Sequence, residues 1–124
     1  MGYLRKAIQV LLFAVFTFGG LDRLVQPIDV LAERMLWVSY FDPSVVRAIA
    51  LTEITCGIGL ILPFLFKKLQ FKFVLYSGSV LIITMIGAAV THLVIGDYDQ
   101  IIINLVLVAI IAFITFPRKP IVQG

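Results

Sequence analysis

Glu53 stands in the stretch Leu51 to Pro63, LTEITCGIGLILP, where every other residue is apolar, small or hydroxylic. A carboxyl group in such a place either handles protons in a ligand pocket or ties one helix to another, and the solvent around the segment decides which. His92 and Asn104 occupy similar surroundings, in GAAVTHLVIG and QIIINLVLV, and Arg23 follows the first apolar run in FGGLDR. Histidine and glutamate can exchange protons, and asparagine offers two donors and an acceptor. Arg23, Glu53, His92 and Asn104 are therefore the candidate ligand-binding residues, with no catalytic residue assigned. Other chemistries fail on residue count. The chain has one cysteine and one histidine, in distant segments, which make neither a metal nor a haem ligand set. Cys56 has no CxxC partner, so the chain alone cannot cycle a disulfide, and a lone cysteine in an apolar run reads as a packing residue. Gly57-x-Gly59 lies inside an apolar run and is no phosphate loop, and no serine nucleophile with a base is present.

The surroundings of these residues are lipid. The 124 residues are 61% hydrophobic and 14% charged, with mean hydropathy +1.10, whereas soluble domains are about 45–50% apolar and about 25% charged. Four apolar stretches carry the excess: Ala7 to Leu21, Ala48 to Phe66, Phe73 to Ile95 and Ile101 to Phe116. A crossing takes about 20 helical residues, so with their flanks these give membrane spans at about 5–23, 44–66, 72–95 and 100–117. The first is read as a retained helix, because Thr17-Phe18-Gly19-Gly20 is a poor leader-cleavage site.

Charge sets the orientation. Arg5, Lys6, Lys67, Lys68, Lys72, Arg118 and Lys119 all fall on one side of the four spans, the side that lysine and arginine hold in the cytoplasm. Asp22, Asp29, Glu33, Asp42, Asp97 and Asp99 fall on the other, among Arg23, Arg34 and Arg47. Both termini are thus expected to be cytoplasmic in an inner-membrane, multi-pass protein. The net charge of +3 reflects this topology. It does not point to nucleic acid, for which a basic patch interleaved with aromatics would be needed.

Short connections after the second and third spans make sequential helices neighbours. The fold class is all-α, a single domain: an integral membrane four-helix up-down bundle with a short amphipathic helix in the first outer loop. Pro27 opens that helix, Ile28, Leu31, Met35 and Val38 recur at helical spacing, and Trp37, Tyr40 and Phe41 suit a membrane interface. The segment is placed in the outer interface, a lid on the bundle being the alternative. Asp42-Pro43 is a helix start, with a capping carboxylate before a proline at the first helical position. Pro63 is expected to kink the second span. Ala48, Thr52, Thr55, Cys56 and Gly59, and Gly87, Ala88 and Thr91 in the third span, read as small-residue packing faces.

Helix rise gives depths. Glu53 lies about 15 Å below Pro43, His92 about 6 Å in from Gly96 and Asn104 about 10 Å in from Asp97. The polar residues form a funnel opening outward, with Arg47, Asp22 and Arg23 at its rim. Glu53 is expected to be uncharged at rest and to floor a pocket whose wall includes His92 and Asn104, since a charge at mid-membrane costs about 2.5–3.5 kcal/mol.

Three ordered segments carry a resemblance: FGGLDRL from Phe18, EITCGIGLILP from Glu53, and GAAVTHL from Gly87 with Gly96-Asp97. Together they resemble the DoxX-like family over nearly the whole chain, with Arg23 where the family often has lysine. The resemblance implies a four-helix membrane bundle. Its relatives include a small subunit of a thiosulfate:quinone oxidoreductase and proteins tied to membrane redox or cofactor-maturation systems. It also implies Arg23, Glu53 and His92 as the matching polar positions. The leading reading is a redox-associated subunit or accessory protein, with a pocket suited to a quinone or another hydrophobic small molecule. Its partners are the lipid bilayer and a membrane redox protein or a second copy of itself in a homo-oligomer. The alternative is a non-catalytic assembly factor or partner-binding bundle. A transporter is disfavoured by the small number of spans.

Overall fold

The computed structural model describes residues 2–66 and 70–116, and every described element is helical. Helices α1 (Gly2–Val25), α3 (Pro43–Leu65), α4 (Gln70–Ile95) and α5 (Tyr98–Thr115) are each long and apolar enough to cross a membrane. A short helix, α2 (Ile28–Arg34), and a 3-10 turn, Leu36–Tyr40, connect α1 to α3. Of the cations that orient the chain, Lys67, Lys68, Arg118 and Lys119 lie outside the described residues, as does residue 117, the expected end of the last span.

The long helices form a ring in chain order: α1 packs on α3, α3 on α4 and α4 on α5, while α1 and α5 meet along a shorter stretch. This is an up-down bundle with a terminal end, where α1 starts and α5 finishes, and a lid end, which α2 and the 3-10 turn cover. Phe18, Ile83, Val94 and Ile102 are exposed on the outside of the ring, an apolar surface that only a hydrocarbon solvent suits.

Close approach sets the register of the helices. A Cβ on Gly57 would stand 2.6 Å from Thr17 Oγ1, and one on Gly78 would collide with Thr115. A side chain at either position would push two helices apart. Around these crossings Leu12, Phe16, Cys56, Leu60, Leu81, Met85, Ile111 and Ile114 form the core. Gln9 Nε2 donates to Leu60 O at 2.9 Å, and Arg5 donates to Ile114 O at 2.5 Å. The terminal end is therefore closed on every seam, including the one between α1 and α5. Gly87 does not pack as its spacing suggests: a Cβ there would meet nothing within 4 Å. α3 runs through Pro63 and ends two residues later, at Leu65.

At the lid end the elements are staggered. Gly20 of α1 lies against Ala50 and Ile54, so α3 begins about one turn, or about 5 Å, beyond the end of α1. Two features use this overhang. Arg47 donates to Arg23 O and Gln26 O, both at 2.7 Å, and so occupies carbonyls that the end of α1 leaves without helical partners. Val46, fully buried, joins Leu31 and Val38 in a second small core with Ile28, Ala32, Met35 and Trp37 at its edge. The segment placed in the outer interface is thus a lid: its apolar face has α3 to pack on, while Tyr40 stays exposed. Asp42 caps α3 by accepting from Ser44 N at 3.0 Å, with Pro43 in the first turn.

Candidate ligand-binding site

Beneath the lid the four long helices enclose a cavity of about 710 Å³, within the usual range for small-molecule sites. All four residues singled out from the sequence line it, and each arrives by a local device.

Arg23 is placed by Gly19. Helical side chains lean toward the helix N-terminus, so Arg23 folds back one turn, and its guanidinium would lie 3.4 Å from a Cβ at Gly19. There it meets Glu53: Nε donates to Oε1 at 3.0 Å, and a second donor of the same guanidinium reaches the same oxygen. The Glu53 side chain is 6% exposed and that of Arg23 17%. Depth along one helix placed Arg23 at the rim, whereas the structure folds its guanidinium onto Glu53. The staggered start of α3 brings Glu53 level with Gly20, and the back-folded arginine supplies the counter-charge that a solitary carboxylate would lack.

His92 and Asn104 form a second polar level. With Gly59 against Ser77 and the helices antiparallel, Glu53 stands level with residue 83 of α4. His92 is then about 13 Å nearer the lid. The pairing of Gly78 with Thr115 likewise puts Asn104 of α5 about 5 Å below His92. His92 and Asn104 are 6% and 7% exposed, yet His92 Nδ1 and Asn104 Nδ2 have no hydrogen-bond partner. Nor do the hydroxyls of Thr17 and Thr115, but those press on glycine faces and do not line this cavity. Buried polar groups are nearly always paired, so two unmatched nitrogens facing one cavity mark a place where something else can bind.

Asp97 reaches this level through the turn between α4 and α5. Gly96 takes φ +85°, a left-handed conformation that glycine accepts without strain. The chain folds back so that Asp97 N donates to His92 O at 2.9 Å, a Schellman closure. Its carboxylate then stands 3.4 Å from His92 Nδ1, near enough to attract an imidazolium but without a hydrogen bond to it. Sequence reasoning counted Asp97 as a loop acid and as part of the Gly96-Asp97 resemblance but not as a site residue, although glycine followed by aspartate after a helical histidine was the available signal. It also missed the roof, where Arg34, Met35, Leu36, Trp37 and Phe41 line the cavity from the lid. Arg34 holds the lid down by donating to Asp22 at 2.9 Å. Gly87, Ala88 and Thr91 form part of the α4 wall, and Gly87 meets open space there.

The arrangement presents an apolar chamber with two polar levels. The deep level is an ion pair of zero net charge. The upper level has two free nitrogens beside an acid, so the chamber suits a neutral, hydrogen-bonding head better than an ion.

The family model described as the DoxX-like family matches residues 7–114. No curated protein and no solved structure matches the chain. The match covers most of the sequence, and with four membrane-length apolar helices the chain is an integral membrane protein that belongs to the DoxX-like family.

Proposed function

We propose that this DoxX-like protein binds a neutral, lipophilic carbonyl compound of the quinone class beneath its lid, as a subunit or accessory protein of a membrane redox system. In this reading it sits in a bacterial-type inner membrane, with both termini in the cytoplasm and the lid outside. The observation that carries it is the pair of buried, unpartnered nitrogens, His92 Nδ1 and Asn104 Nδ2, on one cavity. A quinone ring is apolar, carries no charge and accepts hydrogen bonds at two carbonyl oxygens. Asn104 supplies a donor to one, and His92 supplies another in the tautomer or charge state that protonates Nδ1. The Arg23 and Glu53 pair closes the far end with charges that cancel. Met85 and Leu107 give the ring apolar walls.

Mass spectrometry of the gently solubilised protein, with organic extraction of what copurifies, tests this reading. A lipophilic carbonyl compound at near-equal stoichiometry, lost in Asn104→Leu, is the expected result. A protein that carries no such compound but holds another membrane protein in fixed ratio would replace this reading with that of an assembly factor.

A further inference from the structure

α1 packs on α3, α3 on α4 and α4 on α5, and the remaining seam, between α1 and α5, is the shortest. α1 and α5 are tied at the terminal end by the bond from Arg5 to Ile114 O and by Ile111 and Ile114 in the core. Toward the lid they diverge. There the cavity is lined by Val15 and Gly19 on α1 and by Ile103 and Leu107 on α5. These four are apolar, although Arg23 of α1 and Gln100 and Asn104 of α5 line the same cavity, and Val15 and Ile103 remain 45% and 50% exposed. The missing wall therefore lies between two membrane-spanning helices, along lengths that face hydrocarbon. The water side is covered instead: Leu31 and Val38 anchor the lid on Val46, and Asp22 pins Arg34.

We propose that the ligand enters sideways from the bilayer through the seam between α1 and α5, and that its apolar tail stays in that seam while its polar head occupies the chamber. The inference rests on the proposed binding of a carbonyl head and adds the ligand's second half: a tailed, membrane-dissolved amphiphile, as opposed to a solute from the aqueous phase. An apolar tail between apolar helices leaves no polar group unsatisfied. The head alone requires donors, and these stand inside at His92 and Asn104.

The test compares a decyl-tailed benzoquinone with the same ring lacking its tail, measuring each probe's binding to wild type and to seam-filling variants, so that partitioning into detergent or lipid cancels. Val15→Trp and Ile103→Trp each place bulk in the seam at a position already half exposed, so either can stand if the other fails to fold. Ile83→Trp, on an exposed face that does not line the cavity, is the control. The expected result is a loss of about tenfold or more in affinity for the tailed probe in both seam variants, with the tailless ring bound as in wild type and the control unchanged. Wild-type affinity for the tailed probe in the seam variants would overturn the lateral route while leaving the head site standing. If wild type binds neither probe, the head site itself is wrong and the seam proposal falls with it.

Discussion

The two ends of the bundle are built from the same residue types and reach opposite results. At the terminal end glycines are in contact: Gly57 takes Thr17 against it and Gly78 takes Thr115, so helix faces meet and the interior is filled. At the lid end Gly20 still packs on Ala50 and Ile54, but Gly19 and Gly87 leave space, one for the Arg23 guanidinium and the other for the cavity. Polar groups divide the same way. Gln9 and Arg5 donate to carbonyls of neighbouring helices, although Arg5 Nε and the Thr17 and Thr115 hydroxyls go unpaired there against packed neighbours, whereas His92 Nδ1 and Asn104 Nδ2 go unpaired beside a cavity. One end is organised for closeness and the other for vacancy, and a small residue in a membrane helix can serve either purpose.

Breaking the deep ion pair has the largest expected effect. Arg23→Leu or Glu53→Leu alone leaves a buried charge without its partner and should cost about 3–5 kcal/mol, measured by denaturation in detergent micelles. The double variant should recover most of that loss. Additive losses would mean that the two side chains act independently. Glu53→Gln keeps the shape and a donor while removing the charge, so a well-folded variant that binds the ring but supports no turnover in a reconstituted redox assay would assign Glu53 a proton-handling role.

A smaller effect sharpens the contrast between glycines. Gly78→Ala forces α4 and α5 apart at Thr115 and should cost about 1–3 kcal/mol. Gly87→Ala meets open space and should leave the unfolding midpoint where it is, or raise it slightly as helix propensity improves. Equal costs at the two sites would contradict the division between a packed end and an open one.

The smallest effect concerns the anchor of the lid. The side-chain hydroxyl of Ser44, and then its backbone N–H, hold the Asp42 carboxyl below its ordinary value of 3.8. A lowered folded value means that the carboxylate's contribution is whole above the ordinary value and disappears as pH falls through the lower one. Asp42→Asn, which still caps a helix, should therefore match wild type at neutral pH and show a flatter loss of stability in acid, read from thermal midpoints across pH. An unchanged acid slope would remove Asp42 from the account.

Much of this was legible in the sequence, because membrane residence is written in composition. The four helices, the lid's apolar residues and the Asp42-Pro43 start follow from periodicity and capping chemistry. The convergence of Arg23, Glu53, His92 and Asn104 at one end follows from counting residues inward from each loop. The pairing within the site was not legible. The side chain of Arg23 runs back along its helix over Gly19, and α3 starts a turn beyond α1, so depth measured along either helix alone misplaces both partners. Asp97 was hidden for a related reason, since it faces His92 only through the left-handed turn at Gly96. The small residues of α4 show the limit of spacing: it identifies a smooth face and does not say whether a helix or a void stands opposite.

The central claim is that His92 and Asn104 keep their donors free for a ligand. Thermal unfolding of wild type and Asn104→Leu, with and without the tailless benzoquinone, tests it most directly. Leucine keeps the approximate shape and removes an unsatisfied buried group, a change that is close to neutral or stabilising when no bond is lost. The account predicts a ligand-free midpoint that is unchanged or higher in the variant, with a diminished response to ligand. At a ligand concentration 100 times Kd, a tenfold loss of affinity lowers the stabilisation from about 2.7 to about 1.4 kcal/mol. A lower ligand-free midpoint together with an undiminished ligand response would contradict the account and return Asn104 to the fold.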